Sequence, residues 1–188
     1  MKRYRTSIAL LTAALLAAPA LVSAQAPGAA KSTSEQALSE SERNFMIEAA
    51  KGGMAEVELG KLAGERAPSD GVKQFGRRMV TDHSKANDEL TALAQDKGVS
   101  LPRELNAKHR ALRDRLAKLS GAQFDRAYVE EMVKDHRKDV AEFRREADRA
   151  RDPDLKSWAG KTLPILEDHL KQVEGLQNQV KTSRAPAR

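Results

Sequence analysis

The chain has 188 residues, 33 of them Lys or Arg and 27 Asp or Glu, for a net charge of +6, and it has no cysteine. Without cysteine there is no disulfide framework, no thiol nucleophile and no lipid-modified N-terminal cysteine. Aromatics make up only 4% and are not interleaved with a basic stripe, so nucleic acid is not an expected partner.

Residues 1–24 have the pattern of a secretory signal peptide: Lys2, Arg3 and Arg5, then an apolar run from Ile8 to Ala18, then Val22-Ser23-Ala24 before a cut at Gln25. The run is shorter than the roughly 20 apolar residues that a bilayer span needs, so no transmembrane segment is expected. The mature chain is read as exported to the periplasm. Cleavage leaves 30 basic against 27 acidic residues, a net +3. Residues 25–39, mostly Ala, Ser, Gly, Pro and Gln, read as a flexible leader, 40–180 as a helical domain, and 181–188 as a disordered basic tail.

From Glu40 onward the composition favours helix, being rich in Ala, Leu, Glu, Lys and Arg. Breakers at Pro68, at Gly98 with Pro102, at Gly121 and at Pro153 cut it into four long segments and one short one. No stretch alternates with period two, so no sheet is expected. The first helix spans 41–66 and the second 69–97, with Ser69 or Asp70 as N-cap. Leu105, His109, Leu112, Leu116 and Leu119 then recur at helical spacing and predict a short amphipathic helix on the outside. The third long helix starts at Ser120, where Ser120 and Gln123 fit a capping box, and ends before Asp152. The fourth spans 154–180, with Pro164 removing one backbone hydrogen bond and bending it. Short turns within each pair and a long connection between the pairs predict an all-α, ferritin-like four-helix bundle with a short helix in the crossover. A plain up-down bundle with a decorated loop is the alternative.

Three of the four histidines fall in the same tetrapeptide, Asp-His-x-Lys: Asp82-His83-Ser84-Lys85, Asp135-His136-Arg137-Lys138 and Asp168-His169-Leu170-Lys171. Each residue advances about 100° around a helix, so facing can be calculated. His83 joins Val72, Phe75, Met79, Ala86, Leu90 and Leu93 on one stripe, and His136 joins Asp125, Val129, Met132, Val140, Phe143 and Ala147. His169 joins Leu155, Trp158, Thr162, Ile165, Leu166, Val173, Leu176 and Val180. All three imidazoles are expected to face inward. Asp82, Asp135 and Asp168 fall on the flanks, placed to hold surface lysines or an adjacent helix rather than a shared central ligand, while His109 reads as a surface histidine.

The first helix offers Glu56 on a stripe with Phe45, Ala49, Gly52, Gly60 and Ala63. Gly52, Gly53 and Gly60 predict close approach by a neighbouring helix, since each weakens the helix by about 1 kcal/mol relative to Ala. A carboxylate in such a seam needs a partner. Glu56, His83, His136 and His169 all lie roughly 18–26 Å from their turns at about 1.5 Å per residue, and should meet at one level of the core.

Three imidazoles and a carboxylate form a first shell for one transition metal, zinc or iron. The dinuclear carboxylate site of ferritin-like proteins needs Glu-x-x-His pairs, and the residues three before each histidine are Val80, Val133 and Leu166. A two-iron site is therefore not expected. A buried polar layer in which Glu56 pairs with histidine and fixes helix register, with no cofactor, is the leading reading, and the mononuclear site is the alternative. Asp125 and Asp139 are further polar groups of the third helix, Asp125 being suited to the helix dipole. There is no glycine-rich phosphate loop and no serine elbow, so an enzyme is not the favoured reading.

The segments FMIEAAKGGMAEVELGKLAGERAPSDGVKQFGRRMVTDHSKANDEL, GVSLP, FDRAYVEEMVKDHRKDV and WAGKTLPILEDHL closely resemble an exported bacterial family, domain of unknown function 4142, over about residues 40–176. The resemblance implies a ferritin-like bundle behind a signal peptide in an outer-membrane or periplasmic protein, with no agreed activity. The family's recurrent patterns fall here on Glu56, Asp82, His83, Asp125, Asp135, His136 and His169. Function is thus read as a non-enzymatic envelope, stress or interaction protein. The alternatives are a metal-binding protein, or a bundle docked on the envelope through its basic tail and crossover helix. A homo-oligomer is also open.

Overall fold

The computed structural model describes residues 37–182, which form five helices: α1 Glu40–Arg66, α2 Asp70–Asp96, α3 Ala107–Ala117, α4 Gly121–Arg149 and α5 Pro153–Thr182. No strand occurs among the described residues, and none of the described helices is long and apolar enough to cross a membrane. The signal expected at 1–24 lies outside the described residues, as do most of the leader and positions 183–188 of the tail. Helical structure reaches further at both margins than expected. Leu38 packs on the core, Ser39 caps α1, and Lys181 and Thr182 belong to α5 rather than to a tail.

Local chemistry explains the boundaries. Ser39 and Glu42 form a reciprocal capping box that starts α1 at Glu40, one residue before the expected start. Ala67 ends α1 in the extended region, as the residue before Pro68 must. The Asp152 carboxylate accepts the N–H groups of Asp154 and Leu155 at 3.1 and 2.9 Å, capping α5, whose first residue is Pro153. The box expected at Ser120 does not form: Ser120 occupies the N-cap without a side-chain bond, and Gly121, at φ +55°, takes the turn instead. Ser69 likewise sits at the N-cap of α2 without capping it through its side chain. Pro164 lies inside α5 without ending it.

The packed neighbours are α1 with α2, α4 with α5, α1 with α4, and α2 with α5. The backbone N–H of Ser69, where α2 begins, donates to Asp125 Oδ2 at 3.2 Å, near the start of α4. At the other end Glu42 Oε1 accepts the N–H groups of Arg151 and Asp152 at 2.6 and 2.9 Å, just before α5. So α2 and α4 start at one end and lie diagonally opposite, α1 and α5 start at the other, and every packed pair is antiparallel. This is the ferritin-like arrangement rather than the plain up-down one. The crossover, residues 97–120, runs back along the bundle, and α3 within it lies on α1 and α4 and buries Leu112 and Leu116.

A Cβ added to Gly60 would stand 2.6 Å from the Gly76 carbonyl oxygen, so α1 and α2 touch backbone to backbone. Gly53 meets the Asn87 side chain, whereas Gly52, expected to mark the same kind of approach, has nothing within 4 Å of its absent side chain. The apolar core is split in two. Leu59, Phe75, Met79, Phe124, Tyr128 and Val173 fill one end, and Phe45, Leu90, Phe143, Leu155 and Trp158 the other. Each such side chain stabilises the fold by roughly 1.5–3 kcal/mol. Ile165, assigned above to the inward stripe of α5, is instead exposed. Between the two apolar halves lies a polar layer.

Candidate metal centre

That layer holds His83 from α2, His136 from α4 and His169 from α5, at most 5% exposed. Ring centroids are 5.4 Å apart for His83–His169 and His136–His169, and 5.7 Å for His83–His136. One nitrogen from each ring lies within 4.8 Å of one from each of the others, and no second such group of three occurs among the described residues. Val133 and Leu166, three residues before two of the histidines, are buried apolar side chains that offer no metal donor.

The far side of each ring is occupied. His83 Nδ1 is 3.0 Å from Glu56 Oε2. His136 Nδ1–H donates to the Met132 carbonyl at 3.0 Å and lies 3.4 Å from Glu56 Oε1. His169 Nε2–H donates to Asp82 Oδ2 at 2.7 Å. Carbonyls and carboxylates only accept, so these contacts put the ring hydrogen on His83 Nδ1, His136 Nδ1 and His169 Nε2. The nitrogens left over are His83 Nε2, buried without a partner, and His136 Nε2 with His169 Nδ1, which face each other at 3.4 Å. Two nitrogens at a tetrahedral angle on one ion, each about 2.0–2.1 Å from it, would be about 3.3–3.4 Å apart.

Glu56 is expected either to pair with histidine or to serve as a fourth ligand. Its carboxylate pairs with two of the rings, against Nδ1 of His83 and His136. Asp82, expected on the flank to hold lysines or an adjacent helix, does the latter through a histidine of the layer. The α2–α5 seam brings it onto His169, while Arg78 Nε holds the same oxygen at 3.1 Å and Arg78 Nη1 reaches Asp168 Oδ2 at 2.6 Å. Asp168 alone faces outward as expected. Asp125 is also more than a dipole partner, being buried and pinning the start of α2.

Burial opposes charge on Glu56, but His83 and His136 outweigh it and hold the carboxyl at about 2. Burial likewise disfavours a proton on His83, and Glu56 reverses this and raises it. His136 is lowered by burial, and His169 is pushed down to about 4 by burial against the pull of Asp82. The resting layer is therefore a Glu56–His83 ion pair beside two neutral rings.

A cavity of about 160 Å³ opens between α1, α4 and the start of α3, lined among others by Gly52, Glu56, Asp135, Asp139 and His109. Burial and Glu56 push Asp139 up to about 8, and burial with Glu131 and Glu56 pushes Asp135 to about 6. His109, expected on the surface, has its Nδ1 buried and unpartnered at this cavity.

Fold and layer together define a ferritin-like helical bundle built around three buried histidines. The family model described as Domain of unknown function (DUF4142) matches residues 27–176, and the chain belongs to that family. A solved structure described as a DUF305 fragment from Deinococcus radiodurans superposes with a TM-score of 0.66 at 17% identity, over 76% of this chain and 98% of that one. At that identity the likeness is one of fold alone. No curated protein matches the chain.

Proposed function

We propose that the protein binds one divalent transition metal on His83 Nε2, His136 Nε2 and His169 Nδ1, with Glu56 and Asp82 orienting the ligands from behind. The observation that carries this reading is the fixed hydrogen on the far side of each ring. It leaves His136 Nε2 and His169 Nδ1 as two lone pairs 3.4 Å apart, which repel unless a cation stands between them. Carboxylates behind ligating histidines are the usual support of a metal centre, fixing ring orientation and strengthening the donors. Glu56 and Asp82 also contribute two negative charges, which a dication balances across three neutral rings. An all-imidazole set suits zinc, copper, nickel or iron. Binding would displace the His83 proton, so affinity rises with pH.

The raised titration of His83 supports a second reading, in which the Glu56–His83 ion pair acts alone as a register-fixing layer. Elemental analysis of protein purified without a histidine tag separates the two. Near-stoichiometric metal that disappears in His83→Ala,His136→Ala supports the metal centre, and metal-free protein whose melting zinc does not move supports the layer. The leader pattern of residues 1–24 supports placing either activity in the periplasm, and a mature N-terminus at Gln25 would test that.

A further inference from the structure

We infer that the cavity between α1, α4 and the start of α3 is the passage by which the cation enters and leaves the histidine layer, an inference that rests on the metal-binding reading above. Glu56 stands at its inner end. The residue is 3% exposed and lines the cavity, its Oε1 has no hydrogen-bond partner, and its carboxylate touches Nδ1 of both His83 and His136. An ion arriving there meets a buried carboxylate first, then the Nδ1 edges of His83 and His136, with their donor Nε2 atoms beyond.

The walls fit this role. On α1, Gly52 lies one turn before Glu56 on the same face, and helical side chains lean toward the N-terminus. A bulky side chain at 52 would fill part of the cavity that both residues line, and nothing lies within 4 Å of where its Cβ would stand. On α4, Asp135, Asp139 and Glu142 follow one another at helical spacing along the opposite wall. Asp139 makes only a 3.8 Å contact with Lys138. Glu48, Glu56, Asp135 and Glu142 line the cavity against Lys108 and Lys138, beside a largely protonated Asp139, and this excess of carboxylates draws a cation in. The volume has room for several waters around an ion. On the α2–α5 side, Arg78 lies over Asp82, bridging it to Asp168 and reaching Gln172 at 3.1 Å.

A passage alters rates and leaves the equilibrium alone. The test is stopped-flow mixing of tag-free, metal-free protein with Co²⁺ alone, reading the visible ligand-field bands of the loaded centre, followed by release into excess chelator. Gly52→Leu should slow loading and release by the same factor, about tenfold or more, with an unchanged final spectrum and Kd. Gly52→Ala should fall between it and the native chain. Gly52→Leu loading as fast as the native protein would overturn the passage while leaving the centre intact. A native chain that gives no cobalt spectrum overturns the centre, and the passage falls with it. Leucine is a better helix former than glycine, so the variant should fold, and a circular-dichroism melt verifies this.

Discussion

Asp82 Oδ2 accepts a 2.7 Å hydrogen bond from His169 Nε2 across the α2–α5 seam, tying a partly exposed carboxylate to a fully buried ring. This bond decides which nitrogen of His169 faces the other two histidines. Asp82→Asn should therefore weaken zinc binding by about 10–100-fold, the usual effect of removing a carboxylate behind a ligand. Competition against a chromophoric chelator measures it. Native affinity in the variant would remove Asp82 from the account.

Glu56 should matter without metal as well. Its carboxylate is 3% exposed and pairs with His83, so Glu56→Gln leaves a buried imidazole without its counter-charge. Denaturant unfolding of metal-free protein at pH 7 should show a loss of about 3 kcal/mol. By NMR the His83 ring should titrate lower than in the native chain, because burial then acts unopposed.

A pH effect follows from Glu42, which accepts from the N–H groups of Arg151 and Asp152 and from Ser39. Burial raises its carboxyl, but the hydrogen bonds from Ser39, Asp152 and Arg151 prevail and hold it at about 2, against an ordinary 4.5. A depressed carboxyl stabilises the fold fully above its unfolded value, so this contribution is present above 4.5 and is lost as pH falls toward about 2. Glu42→Gln should lower the melting temperature at pH 7, corresponding to about 2 kcal/mol, and the gap from native should close on acidification through that window.

Two glycines of α1 should respond oppositely to alanine. Gly60 has the Gly76 carbonyl 2.6 Å from its missing Cβ, a backbone contact that cannot yield, so Gly60→Ala should destabilise by about 1–3 kcal/mol. Gly52 faces open space, and Gly52→Ala should stabilise by up to about 1 kcal/mol through helix propensity. Thermal melts of the two variants in parallel check the pair.

The same contrast shows what could be read from the chain. Spacing alone puts Gly52 and Gly60 on one stripe, because periodicity gives direction around a helix; how near the next helix comes depends on crossing geometry that no single helix encodes. Facing and level were legible for His83, His136 and His169, since both depend only on residue count from a turn. Asp82 was not, because its role depends on how α5 is rotated against α2, and a 100° offset read as a flank can be solvent or seam. Glu42 was missed for another reason. Its partners are backbone N–H groups of a turn 109 residues away, which carry no side-chain signature. Ser120 matched a capping pattern, yet the positive φ of Gly121 turned the chain otherwise.

X-ray absorption at the zinc edge, on tag-free protein carrying one equivalent of zinc, tests the centre most directly. Three imidazole nitrogens at about 2.0–2.1 Å, with the multiple-scattering pattern of histidine rings, are predicted, together with their loss in His83→Ala,His136→Ala. A shell of oxygen neighbours alone, or the same spectrum from the double variant, would contradict it.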